Sequence, residues 1–487
     1  MGNSSKFRRN PPLWVSLLPI ISFLAVIVYV IVRSGAESAQ GISQYALLGA
    51  AALAVVLSKF IYRRKWKYIV MGIRMSSKQI FPTFIILVLI GTVSATWMMS
   101  GTVPALIDYG LMILNPQMFL VIACMVCSIV SVMSGSSWTT IATIGVAFMG
   151  IGEVFGYHTG WVAGAIISGA YFGDKVSPLS DTTVLASATA GVPIFKHIKY
   201  MMITTVPSMT IALTVFGIVG FTSDVNEVSE SVEMVENLRN TFNITPWTLL
   251  IPGITCGLIA MRIGTNKVLM FSTLCGLIGM FTLQPQIAES ILGTTLSSIM
   301  DYATVSLDLL LTTTSVETGN AALNSLVETG GVEGMVYTIC LVFSAMIFGG
   351  VMIGSGMIST ITHAFTQKIK SLQSVVNSTV FSGLFFNLST GDQYLSILLS
   401  CSVFKRLYKR NGLEGRLMSR TVEDSVSVTS VLIPWNSCGV AQSTVLGVPT
   451  LAYLPYCIFN YLSPLMSMAI AAIGYKIVQR KRVPKPL

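Results

Sequence analysis

The sequence predicts an all-α polytopic membrane protein with inverted-topology repeats, broken helices and helical hairpins, and about 10–12 transmembrane helices. Three observations carry this: only 10% of the 487 residues are charged, apolar runs recur along the whole chain, and the chain matches itself at a fixed offset of 256. Soluble chains carry about 25% charged residues. Here 53% of residues are hydrophobic and the mean hydropathy is +0.74, so there are too few charges to coat a water-soluble particle of this size.

Segment 1–80 is expected to hold N-terminal transmembrane helices and a cytoplasmic connector. The first apolar run, Leu13–Val32, follows Lys6, Arg8 and Arg9 and is longer than a signal-peptide core, so it is expected to be retained. Tyr45–Ile61 is followed by Arg63, Arg64, Lys65 and Lys67, and both basic clusters put the N-terminus in the cytoplasm. Segment 81–221, with apolar runs Gln117–Met133 and Met201–Phe221, is expected to be the first repeat. Segment 222–246, carrying Asp224, Glu227, Glu230, Glu233 and Glu236 with Arg239 as its only base, reads as an acidic external loop or short solvated helix. Connecting helices and a polar segment fill 247–334, and an inverted second repeat fills 335–475, with Tyr337–Ile353 as a span. The basic tail 476–487 returns the C-terminus to the cytoplasm, in keeping with a multi-pass protein of the cell membrane.

The net charge of +10 sits in short loops, so it points to membrane topology and not to nucleic acid. Cys124 and Cys127 share an apolar helix without companion ligands, which fits packing. His158, His197 and His363 are scattered, as loop or interface residues would be. No GxxxxGK[ST] loop and no nucleophile–base pair appears, so ATP-driven pumping and enzymatic chemistry find no support. No cofactor is expected.

Sliding the chain by 256 positions places Gly135 on Gly391, Trp138 on Tyr394, Pro178 on Pro434, Ser180 on Asn436, Gly191-Val192-Pro193 on Gly447-Val448-Pro449, and Tyr200 on Tyr456. Residues 149–164 hold no Lys or Arg, whereas their equivalents 405–420 hold Lys405, Arg406, Lys409, Arg410, Arg416 and Arg420. If basic loops stay inside, equivalent points of the two copies lie on opposite faces of the membrane. That is the inverted repeat of secondary transporters, whose sites lie at helices interrupted near the midplane.

Each copy offers two interruptions: SGSSWTTIATIG (134–145) and GDKVSPLSDTT (173–183), then STGDQYLSILLS (389–400) and VLIPWNSCG (431–439). Carboxylates at membrane depth are costly and mark functional sites by default. Hard cations take oxygen ligands, and Ser177, Ser180, Asp181, Thr182, Thr183, Asn436 and Asp392 supply them, with sodium expected at Asp181 and Asn436. A carboxylate removed from water favours its neutral form, so a proton and a metal ion compete for it. Either Asp181 or Asp174 carries the proton, with Asp181 favoured. Ser136, Ser137, Trp138, Thr139 and Trp435 are expected along the substrate path. The blander reading is an Asx-capped loop opening a helix. Lys175 is a potential structural partner for Asp174. Glu423-Asp424 is expected at a helix start facing the cytoplasm, as cap or salt bridge, and Glu153 and Asp108 in solvated loops. Glu317, Asn320 and Glu328 fall in the polar external segment.

SGTVPALIDYGL (100–111), SGSSWTTIATIGVAFMG (134–150), GAIISGAYFGDKVSPLSDTT (164–183) and SRTVEDSVSVTSVLIPWNSCG (419–439) resemble the signature blocks of the NhaC family of sodium/proton antiporters. The resemblance covers most of the chain. It implies cation-coupled antiport of sodium against protons, a homodimer, and a transport core containing Asp174, Ser177, Ser180, Asp181, Thr182, Thr183 and Pro434-Trp435-Asn436. The chain departs from the family at Val184-Leu185-Ala186-Ser187, where an Asn and a Pro are usual, and at Thr139 and Ala142, where glycines are common. The alternative expectation is a sodium- or proton-coupled exchanger of a small organic acid, of malate/lactate type, or of an amino acid.

Overall fold

A computed structural model describes residues 11–34, 38–223, 229–318, 324, 327–366 and 371–475. Two helices, α1 (Leu13–Ser34) and α2 (Ser38–Phe60), pack together ahead of α3 (Trp66–Met99). α3 passes unbroken through residue 80, so the expected boundary between the N-terminal segment and the first repeat falls inside a helix. The first half continues with α4 (Thr102–Ile113), α5 (Phe119–Ser134), α6 (Ser137–Thr140), a π-helical turn (Ile141–Gly145), α7 (Val146–Val154), α8 (Thr159–Val176), α9 (Asp181–Ala190) and α10 (Ile194–Thr222). Between the halves lie α11 (Ser229–Thr241), α12 (Leu250–Ala260), α13 (Thr265–Leu283), α14 (Pro285–Leu292) and α15 (Ile299–Leu311). The second half holds α16 (Glu333–Ser355), α17 (Met357–Thr366), α18 (Leu372–Thr390), α19 (Gln393–Arg410), α20 (Gly415–Val422), a π-helical turn (Glu423–Ser427), a 3-10 turn (Ser430–Leu432), α21 (Ser437–Leu446), α22 (Thr450–Tyr453) and α23 (Ile458–Ile473).

The protein is an all-α polytopic membrane protein. Eight described helices are long and apolar enough to cross a membrane, or ten if each of two bent pairs is one span, against the 10–12 expected. α8, α18 and α19 are not among them. Their polar residues are buried against other helices (Ser168 and Lys175 on α8, Thr379 and Asn387 on α18, Ser396 and Ser400 on α19), so hydropathy underrates them. α3 and α16 lie backbone to backbone where Gly72 meets Gly350 and Gly354, the close approach that small residues permit between membrane helices.

The offset of 256 reappears element by element. α9 spans 181–190 and α21 spans 437–446. Gly135 and Gly391 end α5 and α18 in the left-handed conformation, with φ +67° and +65°. Ser136 and Asp392 cap the helices that follow by accepting from Thr139 N and Leu395 N. Ser180 and Asn436 cap α9 and α21, and Pro193 and Pro449 precede the next helix in each copy. The copies differ in where the helix loosens. The first has its π turn at 141–145, where the second has regular α19; the second unwinds at 423–432, where the first has regular α8.

Gly135 touches the second break: a Cβ there would lie 2.7 Å from both the carbonyl carbon and the Cβ of Leu179. Gly135→Ala is therefore expected to cost about 2–4 kcal/mol, from left-handed strain and overpacking together. Gly191→Ala, with φ +73° and nothing within 4 Å, is expected to cost only the backbone part, about 1–2 kcal/mol. Thermal unfolding of the two variants in detergent checks the ordering; equal losses would remove the Gly135–Leu179 contact from the account.

Two expectations about charge are corrected here. Asp108 is not in a solvated loop: it lies on α4, 3% exposed, and Arg239 of α11 donates to it through Nε (2.9 Å) and Nη2 (3.2 Å). The acidic segment's only base thus ties α11 to α4. Glu153 is exposed as expected, but lies within α7 and not in a loop.

Candidate functional site

The chain reverses at Gly135 between α5 and α6, and breaks again at Ser177–Ser180 between α8 and α9. Both interruptions are locally encoded, by a left-handed glycine in the first and by Pro178 with a serine cap in the second. Side-chain bonds to free backbone groups hold them together. Ser131 Oγ donates to Ala170 O (2.6 Å) and Ser177 Oγ to Val132 O (2.8 Å). Thr183 Oγ1 donates to Lys175 O (3.0 Å).

A cavity of about 470 Å³ opens between the two breaks. Its polar wall includes Ser134, Ser136, Asp174, Ser180, Asp181 and Thr182, with Trp138 and Leu179 as apolar neighbours. The second copy contributes Gln393 and Tyr394. Trp138 and Tyr394, matched by the offset, therefore line one cavity. Pro82, Thr83 and Ile86 of α3, the turn at Arg262–Gly264 and the start of α13 through Lys267 complete it.

The two aspartates differ in commitment. Asp174 Oδ2 accepts from Ser137 Oγ (2.7 Å) and Ser137 N (3.2 Å), so its carboxylate sits on the first free amide of α6, where the helix dipole favours an anion. Asp181 is exposed to the cavity, and its carboxylate takes no hydrogen bond or ion pair among the described residues. The remaining side chains of the expected site divide accordingly. Thr182 faces the cavity and shares a hydrogen bond with Ser180 (3.0 Å). Ser177 and Thr183 hold the break, and Thr139 N and Oγ1 donate to Ser136 Oγ.

The structure does not bring Asn436, Asp392 or Trp435 to this cavity wall. Asn436 is fully buried and capped onto Cys438 N (3.1 Å), and its amide donates to Asn387 O (3.3 Å). Asp392 is 1% exposed and caps α19 through Leu395 N (2.7 Å). Trp435 Nε1 donates to Leu388 O (2.9 Å). The backbone carbonyls released by the second break are met by protein: Asn387 serves Val426, Gln393 serves Ser427, Asn460 serves Val428 and Tyr453 serves Val431. A break inside a membrane protein requires such partners. The carbonyls freed in the second copy are thus met by side chains. Pro434 of that break borders a separate cavity of about 300 Å³ without an acidic residue in its wall, while the first-copy breaks border the carboxylate-lined one.

Lys175 is not the partner of Asp174. It points the other way, 1% exposed, and pairs with Asp424, while also donating to Ser463 Oγ (2.8 Å). Asp424 Oδ1 further accepts from Thr204 Oγ1 and Ser463 Oγ, each at 3.1 Å. Asp424 does form part of an ion cluster, but Glu423 makes no ion pair among the described residues, and both are fully buried in the π turn, not at a helix start facing the cytoplasm. Nothing in the local sequence signals this cluster, because its members lie hundreds of positions apart. Among the described residues, no group of three or more His, Cys, Asp or Glu could hold a metal ion. Cys124 and Cys127 are buried and free, and His197 is buried against Ser419 (2.8 Å). Glu328 lines a separate cavity with Glu153; Asn320 lies outside the described residues.

These features define a class: a polytopic helical membrane protein with repeated helix breaks, two of them bordering a carboxylate-lined cavity. Comparison with known proteins supplies the family. The profile of the Na+/H+ antiporter family matches residues 6–191 and 169–475. The Na(+)/H(+) antiporter NhaC of Alkalihalophilus pseudofirmus is 37% identical over 403 residues, 83% of each chain. The arginine/ornithine antiporter ArcD of Halobacterium salinarum is 30% identical over 485 residues, 98% of this chain and 95% of that one. The malate-2H(+)/Na(+)-lactate antiporter of Bacillus subtilis is 33% identical over 396 residues, 81% and 80% of the two chains. The chain belongs to the Na+/H+ antiporter family. It is a transporter and not an enzyme.

Proposed function

We propose that the protein exchanges sodium for protons by alternating access, with the cavity between the two first-repeat breaks as its cation site. The observation that carries this reading is the uncommitted carboxylate of Asp181 on the cavity wall, beside Asp174 and the hydroxyls of Ser180, Thr182, Ser134 and Ser136. Those oxygens suit a hard cation. Sodium and a proton cannot both occupy one carboxylate, so competition couples their fluxes. Asp174 assists, its charge shared with α6. The cavity reaches Arg262 and Lys267, which the positive-inside rule places in the cytoplasm along with both termini. On that orientation the described conformation is open inward, and the copies are inverted relative to each other.

A second reading has one observation in its favour. A cavity of about 470 Å³ is within the range of small-molecule sites and larger than one ion needs, and relatives of the chain are named for arginine/ornithine and malate/lactate exchange. Proteoliposomes holding a pH-sensitive dye separate the two. Sodium alone is expected to move protons. If flux appears only when arginine, ornithine, malate or lactate is added, the organic-solute reading replaces the first.

A further inference from the structure

Glu423 is a buried carboxyl group that the site described above does not use. It lies in the π turn after α20 at 0% exposure, and neither oxygen has a hydrogen-bond partner among the described residues. The Ser427 hydroxyl, one turn further on, is the donor that acts on this carboxyl, outside hydrogen-bond geometry, and has no other partner among the described residues. The guanidinium nitrogens of Arg420, three residues earlier and also at 0% exposure, make no hydrogen bond either. That guanidinium lies 3.9 Å from Asp424 Oδ2 and 4.8 Å from the ring centre of Tyr200. Buried polar groups are nearly always hydrogen-bonded, so a buried carboxyl with no bonded donor, beside a guanidinium held only by a 3.9 Å ion pair and an aromatic ring, needs a reason.

The surroundings make the state of Glu423 depend on α8. The charged groups that act on it are Lys175, Asp174 and Asp424. From the other elements packed nearby, Cys401 and Lys405 of α19 and His197 of α10 face this cluster. Asp424 takes the Lys175 ammonium together with two hydroxyl donors, whereas Glu423 has only the Ser427 hydroxyl acting on it. Removal from water disfavours the ionised form of a carboxyl, and an ammonium brought close favours it. Lys175 is adjacent in sequence to Asp174, which borders the cation cavity. Any movement of this turn of α8 shifts the cavity aspartate and the lysine together.

We propose that Glu423 is a second proton-carrying residue, loading and releasing a proton as Lys175 moves with the cation site. Its carboxylate gains the proton when Lys175 is held by Asp424, and gives it up when the lysine turns toward Glu423. The inference rests on the sodium/proton reading and adds a proton site distinct from the sodium site. The test uses the full chain in proteoliposomes with two readouts: sodium-driven proton flux by entrapped dye, and exchange of labelled against unlabelled sodium. If the unaltered chain shows no sodium-driven proton flux, the parent reading fails and this one with it. If the unaltered chain shows it, Glu423→Gln is expected to lose proton flux by about tenfold or more while sodium/sodium exchange stays within about twofold. Glu423→Asp is expected to keep coupled flux with a displaced pH profile. Proton flux and pH profile unchanged in Glu423→Gln would overturn the proposal. So would equal loss of both readouts, which marks a structural residue.

Discussion

Asp181→Asn is expected to fold normally and to lose sodium-driven proton flux by at least about a hundredfold, the low end of what a positioned proton-transfer group contributes. The expectation of normal folding comes from the side chain's surroundings: it faces the cavity and pairs with no described residue. Substitutions at such positions usually change stability by no more than about 0.5 kcal/mol. Asn is nearly isosteric and offers sodium one oxygen, but its amide does not take up or release a proton near neutral pH. Asp174→Asn is the informative contrast. That carboxylate accepts two hydrogen bonds from Ser137 at the start of α6, so its neutralisation is expected to lower stability by about 1–2 kcal/mol as well as reducing flux. Thermal unfolding and dye-monitored flux on the two variants check the pair. Retained sodium-dependent proton movement in Asp181→Asn would take the carrier role away from Asp181.

The second large effect concerns the buried pair Lys175–Asp424, whose side chains are 1% and 0% exposed. Lys175→Met leaves Asp424 buried with the Thr204 and Ser463 hydroxyls and, as the remaining opposite charge, the more distant Arg420 at 3.9 Å. Breaking a buried pair by removing one partner costs about 3–5 kcal/mol, whereas replacing both partners with apolar groups is often neutral. Lys175→Met is expected toward the lower end of that range, and adding Asp424→Leu is expected to recover most of the loss. The double-mutant comparison by thermal unfolding reads the coupling directly. A single variant as stable as the starting chain would mean that the pair contributes nothing to the fold.

How much of this was legible in the sequence depends on how local the signal is. The repeat was, because its markers are backbone devices: Gly135 and Gly391 need left-handed φ, and Ser180 and Asn436 stand at helix starts. The offset matched Trp138 with Tyr394, but that both line one cavity is visible only in the structure. The grouping of Asn436 with Asp181 followed from matching positions in the two copies, but matched positions need not face one another. In the structure Asn436 is occupied by Asn387 and Cys438. The partner of Lys175 was illegible for the opposite reason. Adjacent Asp174 looked natural, yet consecutive residues on a helix point in different directions, and the true partner lies on a π turn in the other repeat. The burial of Asp108 escaped notice similarly, since its partner Arg239 sits in a segment that reads as solvated.

The central claim is that sodium and protons compete for one carboxylate site in the cavity, and equilibrium sodium binding to the purified protein at a series of pH values tests it most directly. The account predicts that apparent affinity for sodium rises about tenfold per pH unit where the site is protonated, levels off above that range, and disappears in Asp181→Asn. Sodium binding that is independent of pH, or that persists unchanged in Asp181→Asn, would contradict it.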